Sequence, residues 1–171
     1  MLYITNVKNR NISIKTNWVP RSENPFADEL SRYIDHDDWS INHELYLIFE
    51  EKWGPHNIDR FATHYNSHCL RFNSKIWCPG TEAFDALNQP WQKDNNWLVL
   101  PPNCIAKTVN KIILEQVQGT LIVPELRSAP YWPIIFSNGS FRMFVIDTDY
   151  LPCNKVITKG GGKTVFLVFG H

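Results

Sequence analysis

Alternating apolar and polar residues in the first part of the chain indicate a β-strand over residues 11–19. Three apolar residues share one parity there: Ile12, Ile14 and Trp18. Side chains of one parity lie on one face of a strand. Pro20 ends the pattern, and Asn24 before Pro25 supplies the cap and the first residue of a helix over 25–32. The chain therefore begins with a predicted strand, turn and short helix.

Helical spacing and short apolar runs continue after residue 39. The predicted elements are a helix over 45–53, a short strand over 58–62, a strand over 96–100, a helix over 104–117 and a strand over 119–124. The last three elements form a strand-helix-strand unit, which predicts a parallel pair with a crossover. Residues 128–136 indicate a short helix or packed loop, and 141–146 and 165–169 indicate further strands.

The composition limits the classes of protein that this chain can represent. Its 171 residues are 43% hydrophobic, which suffices for the core of one ordinary domain. The 17 basic and 17 acidic residues give a formal net charge of zero, which excludes a polybasic arm. No run of eighteen apolar residues and no signal-peptide pattern occurs, so we expect no membrane span and an intracellular location. The four cysteines form no CxxC pair and are expected to be reduced.

A first motif lies in residues 18–32, which read Trp-Val-Pro-Arg-Ser-Glu-Asn-Pro-Phe-Ala-Asp-Glu-Leu-Ser-Arg. This segment resembles the last strand and helix of the ribonuclease H domain of retrotransposon reverse transcriptases. The resemblance implies that Asp28 corresponds to the final acid of a Mg²⁺ site. Only 27 residues precede Asp28, so the other metal-binding acids have no room in this chain and Asp28 is expected to be inactive alone.

A second motif begins at residues 49–66 and continues through a Trp and a strand that ends in Pro-Pro. Within it, Asp59, Ala62 and Asn66 match the Asp-Ala-Asn order of phage-type DNA adenine methyltransferases, which the segment resembles. The two motifs in this order resemble the polyproteins of DIRS-like, tyrosine-recombinase retrotransposons. In those polyproteins the methyltransferase-like unit lies between the ribonuclease H domain and the recombinase.

The catalytic tetrapeptide of these methyltransferases is (Asp/Asn)-Pro-Pro-aromatic, and the matching residues here are Leu100, Pro101, Pro102 and Asn103. Methylation of adenine requires a side chain that accepts a hydrogen bond from the exocyclic amine and an aromatic ring that stacks on the flipped base. Leu100 cannot accept a hydrogen bond, and Asn103 has no aromatic face. The tetrapeptide is therefore degenerate, and its Pro-Pro pair also fits a stiff connection from strand to helix.

The resemblances predict an α/β fold in two parts. The first is a partial ribonuclease H-like strand-helix end, and the second is a degenerate Rossmann-like, methyltransferase-type sheet with parallel strands. The expected boundaries are 1–38 for the C-terminal remnant of the ribonuclease H-like domain, 39–136 for the methyltransferase-like domain and 137–171 for a spacer or tail. The acidic stretch 35–38 is the candidate linker.

Cofactor and metal ligands are sparse in this sequence. Asp59 either contacts S-adenosylmethionine or pairs as a strand-end acid with Arg60, Arg71 or Lys75. Four further residues are of zinc-binding types but lack zinc spacing: His64, His68, Cys69 and Cys78. We expect no metal and no cofactor in this fragment. Mg²⁺ would belong to the complete ribonuclease H parent, and S-adenosylmethionine enters only if the domain is an active methyltransferase.

Five tryptophans either fill a core or stack on bases beside Arg60, Arg71 and Lys75. The five are Trp53, Trp77, Trp91, Trp97 and Trp132; burial is expected for Trp53 and Trp97, whereas Trp77 and Trp132 stay open between the two roles.

The expected function is that of a non-catalytic connecting segment of a retroelement reverse transcriptase and ribonuclease H polyprotein, which meets an RNA–DNA hybrid or DNA through its parent. Two alternatives remain: an S-adenosylmethionine-dependent DNA adenine methyltransferase, and a protein-interaction domain unrelated to DNA.

Overall fold

A computed structural model of the chain describes residues 20, 39–151 and 164–170. The chain divides into two compact units, Met1–Ile34 and Asp35–His171. The predicted strand over 11–19, the helix over 25–32 and Asp28 lie outside the described residues. Everything that follows concerns the second unit.

The described part of the second unit is a mixed α/β structure. Its elements in chain order are helix α1 (His43–Trp53), β1 (Ile58–Asp59), β2 (Arg71–Ser74), β3 (Ala83–Phe84), β4 (Asn95–Val99), helix α2 (Pro102–Glu115), β5 (Gln118–Pro124), helix α3 (Trp132–Ile135), β6 (Phe136–Ser137), β7 (Ser140–Phe141), β8 (Val145–Leu151) and β9 (Thr164–Phe169). A short 3₁₀ turn, Ala86–Asn88, precedes β4.

Seven of these strands form one sheet in the order β3-β2-β1-β4-β5-β9-β8. The first five strands are parallel, whereas β9 runs antiparallel to both β5 and β8. The α/β class and the parallel pairing of β4 with β5 across α2 are thus confirmed. Strands β6 and β7 form a separate two-stranded sheet.

Helices cover both faces of the sheet because β4 and β5 are apolar on both faces. Trp97 and Val99 of β4 point toward α1 and pack with its residues Tyr46 and Phe49. The next residue in the alternation, Leu98, packs on the opposite face with α2. This two-sided burial explains why β4 and β5 read as continuous apolar runs in the sequence.

Residues 137–171, which the sequence analysis assigns to a spacer, supply two strands of the large sheet. Strand β9 pairs with β5 over six residues, from Gly119 opposite Phe169 to Pro124 opposite Thr164. Leu167 and Phe169 are almost fully buried in the same core as α2. This segment therefore covers the side of β5 that would otherwise be an open edge.

The secondary structure differs from the expectations in one predicted strand and in two strands that were not predicted. The strand expected over 141–146 is interrupted, because residues 142–144 lie in a loop between β7 and β8. Strands β2 and β3 had no counterpart among the sequence-based elements. None of the described helices has the length and apolar character that a membrane span requires.

Candidate functional site

The order of the strands reverses between β1 and β4, since β2 and β3 continue on one side and β5 continues on the other. In open α/β sheets ligands bind outside the carboxyl ends of the strands at such a reversal. Strand β1 ends at Asp59 and β4 ends at Val99, so these two residues mark the candidate site. The sequence-predicted residues Asp59 and Leu100 are thereby brought to one edge of the sheet.

Asp59 is 3% exposed and accepts two backbone hydrogen bonds from the loop that follows β1. Its Oδ1 lies 3.4 Å from the amide nitrogen of Phe61, and its Oδ2 lies 3.3 Å from that of His68. The carboxylate therefore holds both ends of the loop against the strand. The arginines considered as its partners pair elsewhere, Arg60 with Asp94 and Arg71 with both Glu82 and Asp94.

A small cleft opens beside Asp59. It contains about 180 Å³ of empty space, open solvent included, and is lined by Trp39, Ser40, Asp59, Phe61, Ala62, Asn66, His68 and Val99. Pockets that enclose a drug-sized ligand usually measure about 300–1,000 Å³. Even with open solvent included, the volume of this cleft lies below that range.

Ala62 and Asn66, the other two residues of the Asp-Ala-Asn motif, have local structural roles. Ala62 is buried against Phe72 and Cys78. Asn66 Oδ1 accepts hydrogen bonds from the amide and the hydroxyl of Thr63, at 2.7 and 2.9 Å. This is a side-chain closure of a turn, which asparagine forms readily.

The tetrapeptide after β4 is divided between the core and the surface. Leu100 is 1% exposed and packs in the cluster that contains Leu98 and Ile105, on the α2 side of the sheet. Pro101 caps α2, Pro102 is its first residue, and Asn103 is exposed. Proline at this position suits a helix because the first amide has no intrahelical partner. Leu100 therefore fills the core and presents no polar atom to the cleft.

A buried ion pair follows β1, and sequence reasoning missed the carboxylate partner of its arginine. The Arg60 side chain is 3% exposed and lies 2.9 Å from Asp94 Oδ2. It also donates to the side-chain oxygens of Asn96, at 2.7 Å, and Asn73, at 2.9 Å. Burial lowers the pKa of Arg60, although the negative charge of Asp94 opposes this effect. The network ties the ends of β1, β2 and β4 together.

A second buried polar group joins α1 to the sheet and was also missed. His56 Nδ1 lies 2.5 Å from Glu50 Oε2, and its Nε2 lies 2.8 Å from Thr120 Oγ1. Burial lowers the pKa of His56, although Glu50 opposes this effect. Burial would raise the pKa of Glu50, but its hydrogen bonds with His56 bring it below the ordinary value. A neutral imidazole that donates to a carboxylate fits both directions.

The four residues of zinc-binding type do not converge. His64 is exposed, and Cys78 is buried with Phe72. Burial raises the pKa of the Cys69 thiol to about 12, so this thiol is a poor nucleophile and a poor metal ligand. Within residues 39–151 and 164–170, no three histidine, cysteine or acidic side chains form a group suited to a metal ion.

The five tryptophans differ in exposure. Trp91 and Trp97 are fully buried, Trp132 is 6% exposed, and Trp53 is half-buried against Phe49. Trp77, by contrast, is 60% exposed. It follows β2 by three residues, so it lies at the carboxyl edge of the parallel strands, the edge that also carries the cleft.

A scan against protein families finds no match, and a search of curated proteins finds none either.

Proposed function

We propose that residues 39–169 form a methyltransferase-like domain that does not transfer methyl groups. On this proposal the chain is a nucleic-acid-associated connecting segment of a retroelement reverse transcriptase and ribonuclease H polyprotein. Any reverse transcription or Mg²⁺-dependent cleavage would belong to the parent, as the resemblance of residues 18–32 implies.

The strand order supports the methyltransferase-like part of the proposal. The parallel order β3-β2-β1-β4-β5 is that of a Rossmann-type sheet, with its reversal between β1 and β4. The motif residues fall where such a fold places a ligand site, with Asp59 at the end of β1 and Pro101-Pro102 after β4. The strand order and the positions of the motif residues both support the proposal.

The burial of Leu100 supports the proposal that the domain does not transfer methyl groups. At the first position of the tetrapeptide, a transferase needs an oxygen that accepts a hydrogen bond from the target amine. Leu100 supplies a hydrocarbon side chain that is 1% exposed and part of the core. Asn103 supplies no ring for stacking on the base, and the neighbouring cleft of about 180 Å³ lies below the usual volume of a ligand pocket.

Association with nucleic acid is supported by the loop after β2. Lys75, Ile76 and Trp77 are consecutive and exposed. An exposed indole beside a cation suits stacking on an unpaired base and contact with the adjacent phosphate. Since the formal net charge of the chain is zero, we expect modest binding that salt weakens.

Methyl transfer is tested on the full chain with labelled S-adenosylmethionine and adenine-containing DNA, together with calorimetric titration of the cofactor. We expect neither label in the DNA nor heat of binding. The matched variant is Asp59→Asn, which keeps the shape of the side chain and removes its charge. Label incorporation that Asp59→Asn abolishes would overturn the proposal.

Nucleic-acid binding is tested by titrating single-stranded DNA at about 50 and 200 mM salt. We expect affinity to fall with salt, and Trp77→Ala to weaken binding by about tenfold. Lys93→Ala is the control, because Lys93 precedes β4 at the opposite edge of the sheet. Absence of salt-dependent binding would favour the protein-interaction alternative.

One observation favours an active methyltransferase as the second candidate. Asp59 lines the cleft at the strand-order reversal, which is where an acidic residue would meet the polar part of S-adenosylmethionine. Tight cofactor binding that depends on Asp59 would support this candidate.

A further inference from the structure

Two histidines that are 25 residues apart in sequence meet at the start of α1. The Nδ1 atoms of His43 and His68 lie 3.3 Å apart. The ring centroids are 5.5 Å apart and the ring planes are inclined by 13°. Because the nitrogens are closer than the ring centres, the two Nδ1 edges face each other.

The position of the proton on His68 is set by its other nitrogen. Nε2 lies 3.1 Å from the carbonyl oxygen of Ile41, which can only accept, so Nε2 carries the hydrogen. A neutral imidazole with its hydrogen on Nε2 has no hydrogen on Nδ1. Its Nδ1 consequently presents a lone pair to His43. Histidines that bind metal ions commonly donate their second N–H to a backbone carbonyl in this way.

The ring of His68 is also held in place by packing. It stacks on Tyr46 with centroids 4.7 Å apart, and it packs edge-to-face with Trp97 at a centroid distance of 6.5 Å. His43 is the first residue of α1 and is exposed, so its ring can adjust to an ion. The Nδ1 atom of His68 is thus fixed, whereas the Nδ1 atom of His43 can change position.

We propose that His43 and His68 bind one divalent transition-metal ion of the Zn²⁺ class through their Nδ1 atoms. Imidazole nitrogen suits Zn²⁺, Cu²⁺ and Ni²⁺. Bond lengths of about 2.0–2.1 Å to a shared ion are compatible with nitrogens at this separation. With the ion bound, His43 carries its proton on Nε2. Among the described residues no third protein ligand joins the pair.

The thiol and the carboxylate nearest to the two rings make other contacts. Cys69 follows His68, but its Sγ contacts the hydroxyl of Tyr46 and the carbonyl of His56 at 3.8 Å. Asp59 accepts from the amide nitrogen of His68. The carboxylate of Asp59 therefore fixes the backbone of His68 and does not contact its ring nitrogens through this bond.

The test is calorimetric titration of the full chain with ZnCl₂ alone. We expect one ion per chain in the micromolar range. His43→Ala removes the exposed ligand, and His68→Phe removes the nitrogen while it keeps a ring to stack on Tyr46. Each variant should bind Zn²⁺ at least about tenfold more weakly. His64→Ala, which removes another exposed histidine of the same loop region, should bind as the wild type does.

Three results would overturn the proposal. They are the absence of Zn²⁺ binding by the wild type, unchanged binding by His43→Ala and His68→Phe, and an equal loss in His64→Ala. A thermal melt of each variant distinguishes loss of a ligand from loss of the fold. The test involves neither S-adenosylmethionine nor DNA, so its outcome is independent of the proposed function.

Discussion

His56 and Thr120 connect helix α1 to the centre of the sheet through a single hydrogen bond, 2.8 Å long, between Nε2 and Oγ1. Thr120 is 0% exposed, and His56 is 7% exposed. On its other side the imidazole meets Glu50 of α1. The imidazole therefore joins α1 to the sheet through hydrogen bonds at both of its ring nitrogens.

This arrangement predicts loss of stability in mild acid. Since burial lowers the pKa of His56 and of His68 in the folded chain, the unfolded chain binds more protons below about pH 6.5. The free energy of unfolding should be at its highest above that pH and should decrease as the pH falls to 5.5. Urea denaturation across this range is the measurement. A flat profile in the wild type would contradict the assignment.

The variant His56→Gln provides the control for the pH effect. It removes the titrating ring but retains polar atoms that can reach Thr120. We expect lower stability at pH 7.5 and a shallower slope toward acid, with the remaining slope due to His68. The pKa of Glu50 is also lowered, but the stability that it contributes is lost only below about pH 4.5, outside the measured range.

Leu100→Asn should destabilise the domain without creating an enzyme. The substitution restores the residue type of an active tetrapeptide, but it places an amide in the apolar cluster around α2. An unpaired polar group and lost packing there cost about 2–4 kcal/mol. Asn103→Ala, on the exposed neighbour, should stay within about 0.5 kcal/mol. Methyl transfer by Leu100→Asn would show that only this side chain blocks activity.

The buried pair of Arg60 and Asp94 should be far more sensitive than the surface pair beside it. Asp94→Ala leaves the guanidinium of Arg60 buried and uncompensated, which costs about 3–5 kcal/mol. Glu82→Ala removes the other carboxylate partner of Arg71, where both side chains are 45% exposed, and should cost at most about 1 kcal/mol. Chemical denaturation of both variants measures the difference, and equal losses would refute the role of Arg60.

Gly119 is predicted to tolerate no side chain. It pairs with Asn96 across β4 and β5, and a Cβ atom would overlap the carbonyl oxygen of Asn96. Gly119→Ala should therefore cost about 3 kcal/mol through displacement of the strands. Gly139 has φ +79° but open space around it, so Gly139→Ala should cost only about 1 kcal/mol of backbone strain. Thermal unfolding of the two variants separates steric overlap from backbone strain.

The sequence alone determined the long elements of this domain and the place of its motifs. Helix α2 and the apolar strands β4 and β5 carry strong local patterns, because each buries a wide face. Their order along the chain was enough to predict a parallel pair. The Pro-Pro pair marked the end of β4, whereas β1 ends at Asp59 and not at the predicted residue 62. Only the sheet brings Asp59 and Pro101-Pro102 near one edge.

Tertiary structure decided what local pattern could not show. Strands β2 and β3 contain only four and two residues, too few for a periodicity, and they form because neighbouring backbone is available to pair. The partners Arg60 and Asp94 are 34 residues apart, and His43 and His68 are 25 apart. Such contacts leave no trace in neighbouring residues, because they arise only when the sheet brings distant segments of the chain together.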